Sequence, residues 1–597
     1  MCGICGIAGE LTRDADATRR LDRMLKKLAH RGPDDRGGFE DPASGILLGH
    51  HRLAILDLSA SGRQPMKSAG GRYELVLNGE IYNFLELRRE LGSPRAGGTW
   101  RSGSDTEVLL ELWEREGPAC LDRCRGMFAF ALWDRHEKEL WLVRDRFGVK
   151  PLYYAWKDGP DGRSLSFASE IPALFSAGAA PDPDLDTWAT YLVHGLYDHG
   201  KATFWQGIRR LPPGSWLRFS PATGAFRHHR WYDPARAAED APDLRPDDEV
   251  QAELAALLEE TIALRLRADV EIGVCLSGGL DSSLLLGLLR KRLGKDLKLR
   301  SYTFYSGDAY YDELPWVTTM LRGTKVRPRY CQLKAAEVPE LAARVLEQQC
   351  EPYGGLPTVA MAKVFAAAQE DGIKVLLDGN GMDEAWAGYD YYRHGIELNS
   401  ALLGGRGPVQ GSRSPAVLPE VLTAEFAARA KTLEVRLPFA DALANAQLRD
   451  LESAKIPRSL RFSDRVSMAS GCELREPFLD HKLVELGLRQ PADRKIRESR
   501  AGRGEEGKWL VRQVARKLLP AGISEAPKRP VQTPQREWLR GPLAGWAETA
   551  IEAALEARPE LFDRNAVRRA FRAFLAGHGD NSFPVWQWIS AGMLLAR

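Results

Sequence analysis

A loop rich in Ser and Gly, in the stretch VCLSGGLDSS (274–283), has the residue types that bind phosphate groups. Two consecutive glycines let the backbone approach an anion closely, and the helix expected after them directs its first N–H groups toward that anion. Three serine hydroxyls add donors, and the carboxylate of Asp281 can hold Mg²⁺ against phosphate oxygens. The spacing therefore predicts a nucleotide phosphate site, rather than a plain strand–turn–helix whose serines only cap the helix.

A pair of acids follows a second predicted strand, in LLDGNGMDEAWAGY (376–389). A strand followed by a Gly-rich turn and adjacent acids is typical of a metal site at the carboxyl end of a strand. Because ligands of parallel sheets bind at the carboxyl ends of the strands, these acids are expected to face the same ligand crevice as the phosphate loop. Asp383 is the expected metal ligand of the pair. Glu384 is also compatible with a helix start, where an acid favours the helix dipole.

Two cysteines stand at the start of the chain, in MCGICGIAGE. Cys2 and Cys5 have C-x-x-C spacing, which leaves three interpretations: a redox pair, half of a metal site, or chemistry that needs a cysteine at the chain start. The chain has only eight cysteines in 597 residues, which fits a reducing compartment. The other Cys and His residues lack the paired spacing of a zinc site, so the metal interpretation is disfavoured.

The composition is that of an ordinary globular protein, with 44% hydrophobic residues, 27% charged residues and a net charge of +2. This charge gives no support to nucleic-acid binding. The sequence has no run of about 18 uncharged apolar residues, so it predicts no membrane span. Glu10, Arg13 and Asp14 interrupt any signal-peptide pattern. We therefore expect a cytoplasmic protein without a nucleic-acid or membrane partner.

A chain of 597 residues is longer than one hydrophobic core usually serves, so more than one domain is expected. The predicted pattern of helices and strands also differs between the first and second halves of the chain. Short strands between turns, with helical stretches at 18–29 and 105–116, predict an α+β domain over 1–215. Residues 216–248 are predicted as a linker, because 232–248 is rich in Pro, Asp and Ala. Strands then alternate with helices, which predicts an α/β domain with a parallel sheet over 249–597. Residues 402–416 have the composition of a mobile loop.

Many ordered motifs, over nearly the full length, resemble the asparagine synthetase B-type family, whose first half is a class II glutamine amidotransferase. They include MCGICGIAG, HRGPDD (30–35), LNGEIYN (77–83), SGSDTE (102–107), RDRFGVKPLYY (144–154), LSGGLDSS, GMDEAWAGY and DRVSMASGCELREPFLD (464–480). The resemblance implies an N-terminal α+β Ntn-hydrolase domain, an αββα sandwich. The domain that follows would be an α/β domain with a parallel sheet. It would be a PP-loop ATP pyrophosphatase of the adenine nucleotide alpha hydrolase-like type.

In that family the mature chain begins at the cysteine, so Cys2 would be the nucleophile that attacks the amide of glutamine once Met1 is removed. The free α-amine of Cys2 would act as general base, a suitable role since a thiol of pKa ~8.5 lies beside an amine of pKa ~8. Cys5 would then be a small buried hydrophobic residue. The Asn78 side chain and the Gly79 backbone N–H would form the oxyanion hole.

The resemblance also implies the residues that bind glutamine. Arg52 would pair with the α-carboxylate, which fits its planar fork. Glu80 and Asp105 would hold the α-ammonium, and Asn78 would contact the substrate as well. For Asp105 a helix N-cap in GSDTEVLLEL is an alternative role.

The second half would bind ATP and Mg²⁺ as cofactors, activate a carboxylate as an acyl-adenylate and let ammonia displace AMP. The resemblance places ATP at Leu276, Ser277, Gly278, Gly279, Asp281, Ser282, Ser283, Phe304, Asp378 and Gly379. Asp281 and Asp383 would hold magnesium, and Lys508 would neutralise phosphate charge during adenylation. Arg465 is a further candidate that a structural role would explain equally well. Family members are often dimers, so by analogy alone a homodimer is expected.

The chain departs from the family pattern around the acyl substrate. Asn380 stands where the enterobacterial enzymes have an acid that helps remove a proton from the attacking ammonia, and Asn accepts no proton. The stretch CEPYGGLPT (350–358) lacks the arginine expected near aspartate, and KRPVQTPQREWL (528–539) has no match. Two substrates stay open: aspartate, or another carboxylate such as a polysaccharide uronic acid or a natural-product intermediate. A non-enzymatic descendant is disfavoured, because the site residues are present.

Overall fold

The computed structural model describes residues 2–94, 98–159, 162–238, 242–294, 297–393, 414–498, 504–526 and 533–596. Most of the predicted loop at 402–416 and part of 528–539 lie outside these residues. The strands of the first half are β1 Gly3–Gly9, β2 Asp35–Asp41, β3 Ile46–Arg52, β4 Met66–Lys67, β5 Tyr73–Ile81, β6 Gly126–Asp134, β7 Glu139–Arg144, β8 Tyr153–Gly159, β9 Gly162–Ala168, β10 Ile208–Arg210, β11 Ser215–Phe219 and β12 Phe226–Arg230.

These strands form two six-stranded antiparallel sheets, with orders β10-β8-β9-β1-β3-β2 and β12-β11-β7-β6-β5-β4. Alternate residues of β1 face opposite sides, as the period of two requires. Ile4 and Ala8 pack between the sheets, while Cys5 and Ile7 pack against α1 (Ala17–Leu28). Helices α2 (Phe84–Leu91) and α3 (Asp105–Glu116) cover the second sheet, and α4 is Leu185–His194. The predicted αββα sandwich is confirmed.

Strand β12, and β11 beyond its first residue, lie in the 216–248 stretch that the sequence predicts as a linker. They complete the second sheet, where β11 pairs with β7 and β12 pairs with β11. The sequence of β12, FRHHR, carries no apolar alternation because this edge strand is mostly exposed. The second sheet therefore continues past residue 215, where the sequence places the end of the first domain.

The second half is built around a parallel sheet of β13 Ile272–Cys275, β14 Arg300–Tyr305, β15 Arg327–Gln332, β16 Val375–Leu377 and β17 Glu473–Arg475. Its order is β15-β14-β13-β16-β17. Its longer helices are α5 Asp247–Arg265, α6 Leu280–Leu293, α7 Leu314–Leu321, α8 Val338–Gln349, α9 Leu356–Glu370, α10 Ala442–Arg449, α11 Ile456–Ala469, α12 His481–Arg489, α13 Ala544–Ala557, α14 Arg564–Leu575 and α15 Phe583–Leu595. Apolar clusters on both faces bury the sheet, which confirms the predicted α/β domain.

Buried ion pairs join the two halves. The Arg31 guanidinium lies 2.8 Å from the Asp464 carboxylate of α11, and that of Arg125 lies 3.0 Å from Asp480. These side chains are buried, so breaking one pair would leave an uncompensated charge. The contact positions β17 of the C-terminal domain beside the start of β1 and the end of β5.

Candidate active sites

Cys2 lies immediately before β1, and strand pairing on both sides of β1 fixes its position. Its side chain is buried, with 7% exposure. The Cys2 backbone N–H donates to Asn78 Oδ1 over 3.1 Å, and the Cys2 carbonyl accepts from Arg31 Nε over 3.1 Å. Burial raises the pKa of the Cys2 thiol above its ordinary value. The thiol therefore needs a nearby base to become a nucleophile.

Asn78 and Gly79 lie on β5 beside Cys2, as predicted for an oxyanion hole. Asn78 is fully buried, and its Nδ2 has no hydrogen-bond partner among the described residues. A buried donor without an acceptor is costly, so such a group marks a place where a ligand oxygen belongs. Gly79 has φ of +148°, and a Cβ there would lie 2.1 Å from the Met127 carbonyl oxygen. Only glycine fits this close approach of β5 to β6.

Glu80 and Asp105 meet near Cys2, and both are buried. Asp105 Oδ2 accepts from the Ile81 N–H over 2.7 Å, which ties α3 to the end of β5. Ser104, and not Asp105, is the N-cap of α3, since the Ser104 hydroxyl accepts from the Thr106 N–H. The capping alternative for Asp105 is therefore wrong. Burial raises the pKa of both carboxyls, and the nearby carboxylates of Glu473 and Asp105 raise the pKa of Glu80 further.

Arg52 ends β3, and the following loop holds its guanidinium. Its Nη1 donates to the Ser59 carbonyl over 2.9 Å, and its Nη2 donates to the carbonyls of Leu56 and Asp57. A Cβ at Gly62 would lie 2.0 Å from Arg52 Nη2, so glycine is required beside it. These bonds fix the planar guanidinium that the resemblance assigns to the α-carboxylate of glutamine.

Two residues of β17 also reach this site, and the sequence reasoning missed them. The Arg475 Nη2 lies 3.6 Å from Glu80 Oε1, and the Arg475 Nε donates to Glu473 Oε1 over 2.6 Å. Both side chains are fully buried. Their signal in the sequence is the charge of CELRE, which is unusual for a strand of a buried parallel sheet. The first site is therefore lined from both domains.

The predicted phosphate loop joins β13 to α6, as the sequence requires. Ser282 Oγ holds the loop in shape, since it accepts from the Ser277 N–H over 3.2 Å and lies 3.3 Å from the Gly279 carbonyl oxygen. Gly278 has φ of +77°, and a Cβ there would lie 2.7 Å from Trp316 Cβ. Gly279, at the N-cap of α6, has no side chain to cap the helix, which leaves first-turn N–H groups for an anion.

The remaining predicted ATP residues surround this loop. The Leu276 carbonyl accepts from Thr303 Oγ1, and Phe304 lies at the carboxyl end of the neighbouring strand β14. Ser283 is fully buried, and its Oγ has no partner among the described residues. Gly379 follows β16, and a Cβ there would lie 3.1 Å from Asp281 Cβ. The loop thus lies between the carboxyl ends of β13, β14 and β16, where the strand order reverses and ligands of such sheets bind.

Lys508 joins the two acids that the sequence assigns to magnesium. Its Nζ lies 2.6 Å from Asp281 Oδ2 and 2.5 Å from Asp383 Oδ1. Burial favours a lower pKa of the ammonium, but the two carboxylates outweigh it and raise that pKa. A Cβ at Gly388 would lie 1.9 Å from Asp383 Oδ1 and 2.1 Å from Lys508 Cε, so glycine makes room for the cluster. Two carboxylates at a phosphate loop fit Mg²⁺, which completes its shell with water and phosphate oxygens.

Two further carboxyls lie at the same sheet edge. Asp378 accepts from its neighbour Gly379 N–H over 2.7 Å and from Asn380 Nδ2 over 2.9 Å, and burial raises its pKa to about 6. Glu476, directly after β17, is buried, and its Oε2 has no partner among the described residues. Burial raises the pKa of Glu476 to about 8, while Lys150 opposes the shift. The sequence reasoning did not single out Glu476.

Other features of the sequence have simple structural outcomes. All eight cysteines are free, and Cys5 lies in the core, so the redox interpretation of C-x-x-C has no support. Arg465 donates to the Ser169 carbonyl over 3.0 Å, at the domain contact. Within the described ranges no group of three or more potential metal-ligating side chains occurs. No helix of the described part is long and apolar enough to cross a membrane.

Comparison with known proteins assigns both halves. Residues 1–232 match the model of the glutamine amidotransferase domain, and residues 253–596 match that of asparagine synthase. The second match covers more than half of the chain. The chain belongs to the asparagine synthase family. Relatives that carry the asparagine synthetase name match this chain over both of its domains.

Relatives match along nearly the whole chain. A Mycobacterium tuberculosis protein, provisionally named an asparagine synthetase [glutamine-hydrolyzing], is 30% identical over 98% of this chain and 95% of its own. Asparagine synthetase [glutamine-hydrolyzing] 3 of Bacillus subtilis is 29% identical over 94% and 92%. A Gibberella zeae protein named amidase chry2 is 26% identical over 90% of each. A solved allosteric regulatory enzyme of purine biosynthesis is 17% identical over 55% of this chain and 80% of its own, at a TM-score of 0.28.

Family membership makes this chain an ATP-dependent, glutamine-hydrolysing ligase of the asparagine synthase type. Both predicted residue sets are brought together by the fold: Cys2, Asn78, Gly79, Glu80 and Asp105 in one domain, and the phosphate loop with its acids and Lys508 in the other.

Proposed function

We propose that the chain hydrolyses glutamine at Cys2 and uses the ammonia to amidate aspartate, giving asparagine, glutamate, AMP and pyrophosphate. Asn78 carries the proposal: its buried Nδ2 has no acceptor among the described residues, and its Oδ1 binds the Cys2 N–H. Such a donor beside a buried thiol suits the oxyanion of acyl transfer. Relatives named asparagine synthetase favour aspartate as the acyl substrate.

Removal of Met1 first frees the α-amine of Cys2. In the glutaminase step this amine takes the proton of the Cys2 thiol. The thiolate adds to the side-chain amide carbon of glutamine, and Asn78 Nδ2 with the Gly79 N–H stabilise the negative oxygen. Ammonia leaves with a proton from the amine, and water then hydrolyses the thioester. Arg52 would hold the α-carboxylate of the substrate, and Glu80 with Asp105 would hold its α-ammonium.

In the synthetase step the loop from Leu276 to Gly279 and the start of α6 would bind the ATP phosphates through backbone N–H groups. Asp281 and Asp383 would hold Mg²⁺, which screens phosphate charge when bound. Lys508, a buried cation next to both acids, would neutralise charge on the phosphates as the aspartate carboxylate attacks the α-phosphorus of ATP and pyrophosphate leaves, which forms the acyl-adenylate. Ammonia then displaces AMP from the acyl-adenylate.

The experiment supplies glutamine, ATP and Mg²⁺ and measures AMP and pyrophosphate release with and without millimolar aspartate. We expect aspartate to stimulate release and asparagine to form. The Cys2→Ala variant should lose glutamine-dependent synthesis and keep synthesis from ammonium chloride, because the two sites are separate. If aspartate left AMP and pyrophosphate release unchanged, aspartate would be rejected as the acyl substrate. Another carboxylate would then be the next candidate, because residues 350–358 lack the arginine expected near aspartate.

A further inference from the structure

Arg475 lies on β17 of the C-terminal domain, but its side chain points toward the N-terminal site. It is fully buried. Its Nη1 donates to the backbone carbonyls of Arg265 over 2.7 Å and Arg267 over 2.8 Å, and its Nε donates to Glu473 Oε1 over 2.6 Å. Three bonds thus fix the plane of the guanidinium. The remaining terminal nitrogen, Nη2, has no hydrogen bond among the described residues.

That free nitrogen faces Glu80. The Nη2–Glu80 Oε1 separation of 3.6 Å is an ion pair rather than a hydrogen bond. Glu80 is buried, and burial together with repulsion from the nearby Glu473 and Asp105 carboxylates raises its pKa above the ordinary value. The Arg475 charge opposes this repulsion and lowers the pKa of Glu80 in part. Within the described N-terminal domain, no salt bridge to Glu80 is found.

We propose that Arg475 is a positioning residue of the glutamine site, which opposes the repulsion among the buried acids and directs the Glu80 carboxylate at the α-ammonium of glutamine. The inference rests on the proposed function, since it takes Glu80 as a ligand of that ammonium. The glutamine site is then complete only when the C-terminal domain is in place. Recognition of the α-amino group, rather than attack on the amide, is the step that depends on Arg475.

This distinction sets the experiment, which uses the full chain without ATP. Hydrolysis is measured for glutamine and for glutaramate, which is glutamine without its α-amino group. We expect wild-type protein to prefer glutamine. In Arg475→Met, kcat/KM for glutamine should fall about 10²-fold, mainly through KM, because one partner of a buried charge pair is lost. For glutaramate it should change less than about threefold, since no ammonium is recognised.

Two further variants make the result decisive. Arg475→Lys keeps the charge with a shorter reach, so the preference for glutamine should be partly restored, and this variant decides the question if the methionine variant does not fold. Arg461→Met is the matched control, because Arg461 is also buried in this domain but pairs with Asp198 at 3.0 Å. It should leave the glutamine-to-glutaramate ratio at the wild-type value.

Several outcomes would overturn the inference. Equal losses for both substrates in the Arg475 variants would show a purely structural role. A wild-type protein without preference for glutamine would remove the basis for ammonium recognition by Glu80. Hydrolysis retained by Cys2→Ala would instead overturn the proposed glutaminase chemistry itself, so the two failures are distinguishable.

Discussion

The Asn78 side chain has two separate roles that mutations can divide. Its Oδ1 accepts from the Cys2 N–H, and its buried Nδ2 is free for the oxyanion. Asn78→Asp keeps an acceptor and removes the donor, whereas Asn78→Ala removes both. An oxyanion-hole donor contributes about 2.7–4 kcal/mol to the transition state, so kcat for glutamine hydrolysis should fall about 10²–10³-fold in the alanine variant. The lost bond to Cys2 adds about 1 kcal/mol of structural cost.

The aspartate variant should lose at least as much activity, because its negative charge lies where the oxyanion develops. KM for glutamine should stay within about threefold in both variants, since the donor acts on the transition state more than on the bound substrate. The assay is glutamine hydrolysis without ATP, and synthesis from ammonium chloride is the control that should not change. If Asn78→Asp kept kcat within about threefold of wild type, the assignment of Nδ2 to the oxyanion would be refuted.

Two further predictions concern the C-terminal domain. Lys508→Met should abolish pyrophosphate release while glutamine hydrolysis persists, and should cost about 3–5 kcal/mol of stability because Asp281 and Asp383 lose their shared cation; unchanged pyrophosphate release would contradict this. For Glu476, a pKa of about 8 lies above that of an unfolded Glu, so ionisation destabilises the fold increasingly as pH rises from about 4.3 to about 8. Glu476→Gln should therefore be stabilising, slightly at pH 5 and by up to about 5 kcal/mol at pH 8, as read from denaturation midpoints. A difference that does not vary with pH would argue against a titrating Glu476.

Sequence motifs predicted those parts of each site whose residues are contiguous in the chain. Gly278, the α6 N-terminus and Asp281 are contiguous, and the structure has the strand–loop–helix arrangement that the sequence predicts for them. Ser104 took the cap that Asp105 could have formed, because the Asp105 carboxylate instead reaches the Ile81 N–H. That choice depends on how α3 packs against β5, which residue types alone do not specify.

Contacts between the domains could not be predicted in this way. Glu80 and Arg475 are distant in the sequence, and their meeting depends on how the two sheets are placed. The edge strand β12 was missed for a different reason, since its exposed faces remove the alternation by which strands are recognised. Buried charges in CELRE were the one available signal for Arg475 and Glu476.

The short strand β17 limits how such a chain can be recombined. Its Arg475 reaches Glu80 with its side chain, while its backbone carbonyl accepts from the Asp378 N–H over 2.9 Å at the nucleotide edge. A chimera that takes its first 232 residues from one relative and the rest from another must therefore match partners across the junction. The same holds for Arg31 with Asp464. The two halves of a chimera should therefore be chosen for these residue pairs first and for overall sequence identity second. A glutaminase fragment produced alone should bind glutamine poorly even when it folds.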